Sequence, residues 1–199
     1  MSLFSTTDKP IYNHLKVFEN MWETLAAEVP PWDGDSEMIK RRYVSLEEEG
    51  ADPATGAEFI AALKANSNWI AGWEDKNIWY NFPLVINDSV VGKAAELCPR
   101  TVAALLKVGK INLAGFSLLL PNSALPVHTD SCGPTTNSIA FNLKLNGGVS
   151  ELHVQQPNGK FAVHRHKAGR AVLFNSELNH FATNAGGTLR TILYINKGL

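Results

Sequence analysis

The sequence predicts a mainly β chain, with a jelly-roll or sandwich core and a helical N-terminal part packed on it. Three observations carry that expectation. From Ile111 onward, short apolar and β-branched runs are separated by turn signals at near-regular spacing, as in closed or paired antiparallel sheets. One such run, Asn137 to Leu145, alternates: Ile139, Phe141, Leu143 and Leu145 share one face, and Ser138, Ala140, Asn142 and Lys144 the other. Residues 1–76, by contrast, show helical spacing and charge-rich stretches.

In chain order, Leu15, Phe18, Met21, Trp22 and Leu25 recur near i, i+3, i+4 spacing, and Pro30-Pro31 stops the helix they predict. Charges dominate from Met38 to Glu49, and Gly50-Ala51-Asp52-Pro53 reads as a turn. Ala57 to Ala65 is a short helix candidate with Phe59, Ile60 and Leu63 on its apolar side. Trp69, Trp73 and Trp79 follow closely; core packing is their leading use, lining a substrate mouth the alternative. Asn77 to Ile86 is strand-like. Cys98-Pro99-Arg100-Thr101 opens a helix that runs through Leu106, with Thr101 near its start and Gly109 as the stop.

Ile111 to Leu120 is a strand ended by Pro121-Asn122. Gly147-Gly148 turns the chain into Ser150 to Gln155, and Pro157-Asn158-Gly159 returns it through Lys160 to His166. Ala171 to Phe174 is short and wholly apolar, hence a buried strand. His180 to Asn184 and Thr188 to Asn196, joined at Gly186-Gly187, form the last hairpin. The expected organisation is one domain over residues 1–199, with a helical part, 1–76, against a β core, 77–199.

Composition narrows the function class. Hydrophobic residues make up 45% and charged residues 19%, ordinary for a globule with a sizeable core. A formal net charge of −1 gives no electrostatic case for nucleic acid or an anionic membrane. No apolar run approaches the roughly 20 residues of a spanning helix. Met1 to Asp8 lacks the basic-then-apolar pattern of a signal peptide. Cys98 and Cys132 have no metal-type spacing and are read as free thiols of a reducing compartment. The expectation is a cytoplasmic protein with neither nucleic-acid nor membrane partners.

The chemistry concentrates in four residues. His128 and Asp130 are two apart, so an extended backbone sends both side chains to one face. A second imidazole from His180 completes two histidines and one carboxylate, a facial set that leaves coordination positions open and suits Fe(II) in oxygenases. Arg190 lies one hairpin beyond His180, on a strand where it shares a face with Ile192 and Tyr194. An arginine in so apolar a strand is costly to bury without an anion. A dicarboxylate held by two parallel hydrogen bonds supplies one.

Histidine-x-aspartate, a distal histidine and the following arginine resemble the 2-oxoglutarate/Fe(II) dioxygenases. More narrowly, the chain resembles the aspartyl/asparaginyl β-hydroxylase family. The resemblance rests on Trp79-Tyr80-Asn81-Phe82-Pro83-Leu84, Cys98-Pro99-Arg100-Thr101, Phe116 to Asn122, Val127-His128, Asn142-Leu143-Lys144-Leu145, Gly169 to Phe174, and His180 through Arg190. It implies a double-stranded β-helix (a cupin-like jelly roll) with His128, Asp130 and His180 holding Fe(II) and Arg190 holding the far carboxylate of 2-oxoglutarate. It further implies that O2 and 2-oxoglutarate are consumed to hydroxylate an unactivated C–H bond, of an Asp or Asn side chain in a peptide or of a free amino acid.

Two departures stand out. The best-known animal members carry glycine where this chain has Asp130, and a basic pair where it has Ala140 and Asn142. Ser138, Asn142 and His153 are the candidates to rebuild that part of the co-substrate grip. His164 and His166, with His153 across the hairpin, form either a second metal site or, more simply, a structural histidine row. Ser117 and Asn175 are candidate pocket residues, Cys132 a candidate pocket wall, and Asn179 a candidate support for His180. Arg165 and Arg170 read as surface residues. The alternative to an enzyme is a non-catalytic cupin-like jelly roll that binds a metal or small molecule.

Overall fold

A computed structural model describes residues 3–32, 34, 68–71, 78–130 and 138–198. Eleven strands are present among them: β1 (Ile70–Ala71), β2 (Trp79–Ile86), β3 (Ser89–Val90), β4 (Ile111–Leu119), β5 (Ser123–Ala124), β6 (Ser138–Asn146), β7 (Ser150–Gln155), β8 (Phe161–Arg165), β9 (Ala171–Phe174), β10 (His180–Asn184) and β11 (Arg190–Gly198). They build two antiparallel sheets. The larger has the order β1-β2-β4-β11-β6-β9, with β3 on the outer side of β2; the smaller has the order β5-β10-β7-β8. Neighbours are seldom consecutive in sequence, because the chain crosses between the sheets, and the result is the double-stranded β-helix of a jelly roll.

Strand register decides what faces the space between the sheets. Across the larger sheet Asn81, Ser117, Ile192 and Lys144 stand side by side, and Tyr194 is paired with Gly115 and Asn142. These side chains point inward. The alternate row, Phe82, Phe116, Leu193 and Leu143, faces the other way and is also buried. What buries it is helical: Leu15, Phe18 and Leu25 from the N-terminal part and Val102 and Leu105 from residues 99–108 are buried in the same cluster, and the Phe18 and Phe141 rings lie 5.6 Å apart. A sheet covered on both faces explains why β6 and β11 are so apolar, and why their few polar residues are conspicuous.

The helical pattern around Leu15 to Leu25 is realised in pieces: a 3-10 turn (Pro10–Leu15), α1 (Lys16–Asn20) and α2 (Trp22–Ala27), broken at Met21 with φ −117°. After α3 (Ala94–Leu97) comes α4 (Pro99–Val108), which begins two residues before Thr101 and ends at Gly109 with φ 65°. Its N-terminus has no local side-chain cap. Instead Glu28, arriving from the end of α2, accepts hydrogen bonds from the Arg100 N–H (2.9 Å), the Thr101 N–H (2.8 Å) and the Thr101 hydroxyl (2.7 Å). The helix expected over Ala57 to Ala65, together with Phe59, Ile60, Leu63 and Trp73, lies outside the described residues. Among the described residues no helix is long and apolar enough to cross a membrane.

Candidate metal and anion site

His128 and His180 face each other across a two-residue antiparallel bridge. The His128 N–H donates to the His180 carbonyl (2.9 Å) and the His180 N–H to the His128 carbonyl (2.8 Å). This pairing sets the two imidazoles 4.4 Å apart, centroid to centroid. Asp130 is anchored just beyond, its N–H donating to the Ser176 carbonyl at 2.9 Å. The three side chains offer ligand atoms that all lie within 4.8 Å of one another. His128 Nε2 stands 3.7 Å from Asp130 Oδ1, and His180 Nε2 stands 3.6 Å from Asp130 Oδ2.

Hydrogen bonding settles which ring nitrogen is available. His128 Nδ1 lies 2.8 Å from the Pro126 carbonyl, and His180 Nδ1 lies 2.8 Å from the Leu178 carbonyl. A carbonyl only accepts, so each Nδ1 carries the proton and each Nε2 presents its lone pair to the shared centre. Burial lowers the pKa of His128, favouring that neutral form. For Asp130 burial acts upward, but its polar neighbours, His180 first and then His128 and Tyr194, outweigh it and hold the carboxyl below its ordinary value. Tyr194 hydroxyl donates to Asp130 Oδ2 at 2.8 Å. The donor set is two neutral imidazoles and one carboxylate on one side of a gap, which fits a divalent metal with open positions.

The gap opens into a cavity of about 140 Å³ between the sheets. One water needs only about 10–15 Å³, so the space suits a small molecule. Its walls are mostly apolar, including Leu113, Leu125, Leu152, Phe174 and Ile192, and Trp79 lies over it with its indole N–H on Ser117 Oγ at 2.7 Å. Arg190 also lines it. That arginine is 1% exposed and its Nε has no partner among the described residues; Nη2 lies 3.3 Å from His166 Nε2. Burial draws the Arg190 pKa down to about 10, so it stays charged at neutral pH. Asn142 is 5% exposed in the same wall, and its side-chain oxygen has no partner among the described residues. A buried cation with no carboxylate partner among the described residues, across a cavity from a metal-type donor set, fits a chelating dicarboxylate.

The structure therefore brings together His128, Asp130, His180, Arg190, Asn142 and Ser117. Ser138 opens β6, but its side chain and all of Cys132 lie outside the described residues. His153 is not in the cavity. It is paired with Val163 while His164 is opposite Leu152, so the two histidines take opposite faces of the small sheet. His153 stacks on Phe181 instead (4.2 Å, 9°), and it stands 3.2 Å from Glu151. The three-histidine metal site is thereby excluded by strand register.

Asn175 accepts from the Glu177 N–H (2.9 Å) and Asn179 donates to Gln155 (2.8 Å), so both serve turns rather than the cavity. Arg165 is a surface residue paired with Glu151 at 2.9 Å, and Arg170 is exposed. Cys98 is a free buried thiol whose pKa burial pushes up to about 12, which rules it out as a nucleophile near neutral pH. Two contributors had no sequence signal as partners: Tyr194, placed only on the face of Arg190, and His166, read as part of a structural row.

Residues 36–197 match the aspartyl/asparaginyl beta-hydroxylase family, and the chain belongs to that family. It is 26% identical over 142 residues to an uncharacterized protein of Acanthamoeba polyphaga mimivirus, covering 70% of this chain and 49% of the other. It is 29% identical over 107 residues to the ornithine lipid ester-linked acyl 2-hydroxylase of Rhizobium tropici, covering 51% of this chain and 34% of the other. The chain thus spans half or less of the length of these relatives. Among solved structures, it is similar to a 2OG-Fe(II) oxygenase family oxidoreductase from Burkholderia pseudomallei (TM-score 0.47, 15% identity, 83% of this chain and 93% of that one). It is also similar to a Cupin_2 domain of an XRE family transcriptional regulator from Enterobacter cloacae (TM-score 0.41, 11% identity, 61% of this chain and 98% of that one).

Proposed function

We propose that this protein is a 2-oxoglutarate- and Fe(II)-dependent dioxygenase that hydroxylates an unactivated C–H bond. The observation that carries the reading is the facing pair of elements: three ligand atoms within 4.8 Å, two with their tautomers fixed by backbone carbonyls, and a buried Arg190 in the wall of the same cavity. His128, Asp130 and His180 would hold the iron, and Arg190 the remote carboxylate of 2-oxoglutarate. Asn142 offers that co-substrate a polar contact from the cavity wall. When bound, iron and 2-oxoglutarate supply the oxidising chemistry, consuming O2 and giving succinate, CO2 and a hydroxylated product.

The chain's own part is to orient and to exclude water. Tyr194 fixes one oxygen of Asp130, the Pro126 and Leu178 carbonyls fix the two imidazoles, and apolar walls keep the centre dry. Family membership weighs against the non-catalytic cupin-like alternative.

For the substrate, family membership supports an Asp or Asn side chain in a peptide, or a free amino acid. A second reading, an acyl chain, is favoured by the apolar walls and by the acyl 2-hydroxylase relative. The test is succinate release from 2-oxoglutarate in the presence of Fe(II), screened against Asp- and Asn-containing peptides, amino acids and acyl lipids. One class should stimulate it, and Asp130→Ala should abolish the stimulated rate. Full turnover in Asp130→Ala refutes the ligand assignment.

A further inference from the structure

The Arg190 guanidinium meets an unusual neighbour. Buried arginines are ordinarily paired with carboxylates, yet among the described residues the partner is an imidazole: Arg190 Nη2 lies 3.3 Å from His166 Nε2. An arginine has only donors, so His166 Nε2 must accept and His166 must carry its proton on Nδ1. His166 is 6% exposed, its backbone N–H is pinned to the Ser150 carbonyl at 3.0 Å, and Nδ1 has no partner among the described residues. Lys144, also buried, lies in the same region and donates to the Gly148 carbonyl. Burial first, then the charges of Arg190 and Lys144 and the neighbouring His164, keep the His166 pKa well below its ordinary value.

We propose that His166 is a positioning residue for the anion subsite, a neutral acceptor that orients Arg190 toward the cavity without cancelling its charge, so that the subsite is built for the remote carboxylate of a dicarboxylate co-substrate. This rests on the 2-oxoglutarate reading of the site. The physical reason for an imidazole is competition. An aspartate or glutamate in its place would form an ion pair with Arg190, and an incoming carboxylate would have to displace it. A neutral acceptor takes one edge of the guanidinium and leaves its charge and its remaining donors to the ligand. Gly147 keeps the backbone in place on the other side: a Cβ there would sit 2.7 Å from the Arg190 Cα.

Two measurements test the proposal. The first is 2-oxoglutarate binding to the Mn(II)-loaded protein by calorimetry, alongside the KM for 2-oxoglutarate. His166→Leu should weaken binding and raise KM at least tenfold, with Mn(II) affinity unchanged and kcat within about threefold. His166→Gln, whose side-chain oxygen can accept in the same place, should restore binding to within about threefold. Unchanged 2-oxoglutarate binding in a folded His166→Leu variant overturns the proposal, and so does a Gln variant as weak as Leu. Wild-type protein that binds Mn(II) but no 2-oxoglutarate overturns the dioxygenase reading itself, and this assignment with it. The second is nitrogen NMR of the ligand-free protein, with the His166 signal assigned by its loss in His166→Gln. It should show a neutral ring protonated on Nδ1; an Nε2-protonated ring overturns the proposal without reference to any ligand.

Discussion

Asp130 is where the donor set meets, since both imidazoles approach its oxygens and Tyr194 donates to one of them. A hydrogen bond of this kind orients a ligating carboxylate and restricts how it can swing toward the metal. Tyr194→Phe should therefore lower metal affinity about 10- to 100-fold while the fold persists, as measured by competition with a coloured chelator. Unaltered affinity would remove Tyr194 from the site's support. At this scale the sequence was informative where a residue clashed with its surroundings. Arg190 in an apolar strand and His128 two residues from Asp130 are visible as patterns. The partnership of His166 with Arg190 is not, because it depends on where the segment after β8 comes to rest against β11.

The elements show how local signals and distant ones divide the work. Gly109, with its positive φ, ends α4 where the sequence placed the stop, since that conformation favours glycine. The start of α4 is a different matter. Its free N–H groups are satisfied by Glu28, a residue far upstream that no capping pattern could reveal. Glu28→Ala should cost about 1–2 kcal/mol, lowering the melting temperature by a few degrees in a chain of this size. Thermal denaturation followed by circular dichroism reads this directly, and an unchanged midpoint would show the cap to be dispensable. The single helix suggested by Leu15 to Leu25 was also only partly legible. Its apolar spacing was right, because Leu15, Phe18 and Leu25 are all buried, but the break at Met21 had no local signal, methionine being a good helix former.

For the molecule as a whole, the jelly roll was legible because alternation and turn chemistry repeat along the chain. The order of the strands was not, since pairing such as β6 with β11 is fixed by contacts far apart in sequence. The N-terminal part, together with α4, covers the outer face of the larger sheet, and we propose that it belongs to one cooperative unit with the β core. Phe18→Ala, which empties a fully buried ring site against Phe141, should then cost about 3–5 kcal/mol and shift a single unfolding transition. Loss of the N-terminal helices in a separate, earlier transition would contradict that unity. The double cover also explains the cavity: with both faces of the larger sheet buried, its inward row lines a small, mostly apolar space beside the donor set.

On the proposed reading, two imidazoles, one carboxylate and a buried guanidinium serve a single iron and a single dicarboxylate. Its most direct test is an anaerobic titration of the protein with Fe(II) and then 2-oxoglutarate, followed by visible absorption. One iron per chain should bind, and a metal-to-ligand charge-transfer band should appear only when both are present and vanish in His180→Ala. A wild-type protein that stays colourless with both ligands added, or a His180→Ala variant that keeps the band, would contradict the account.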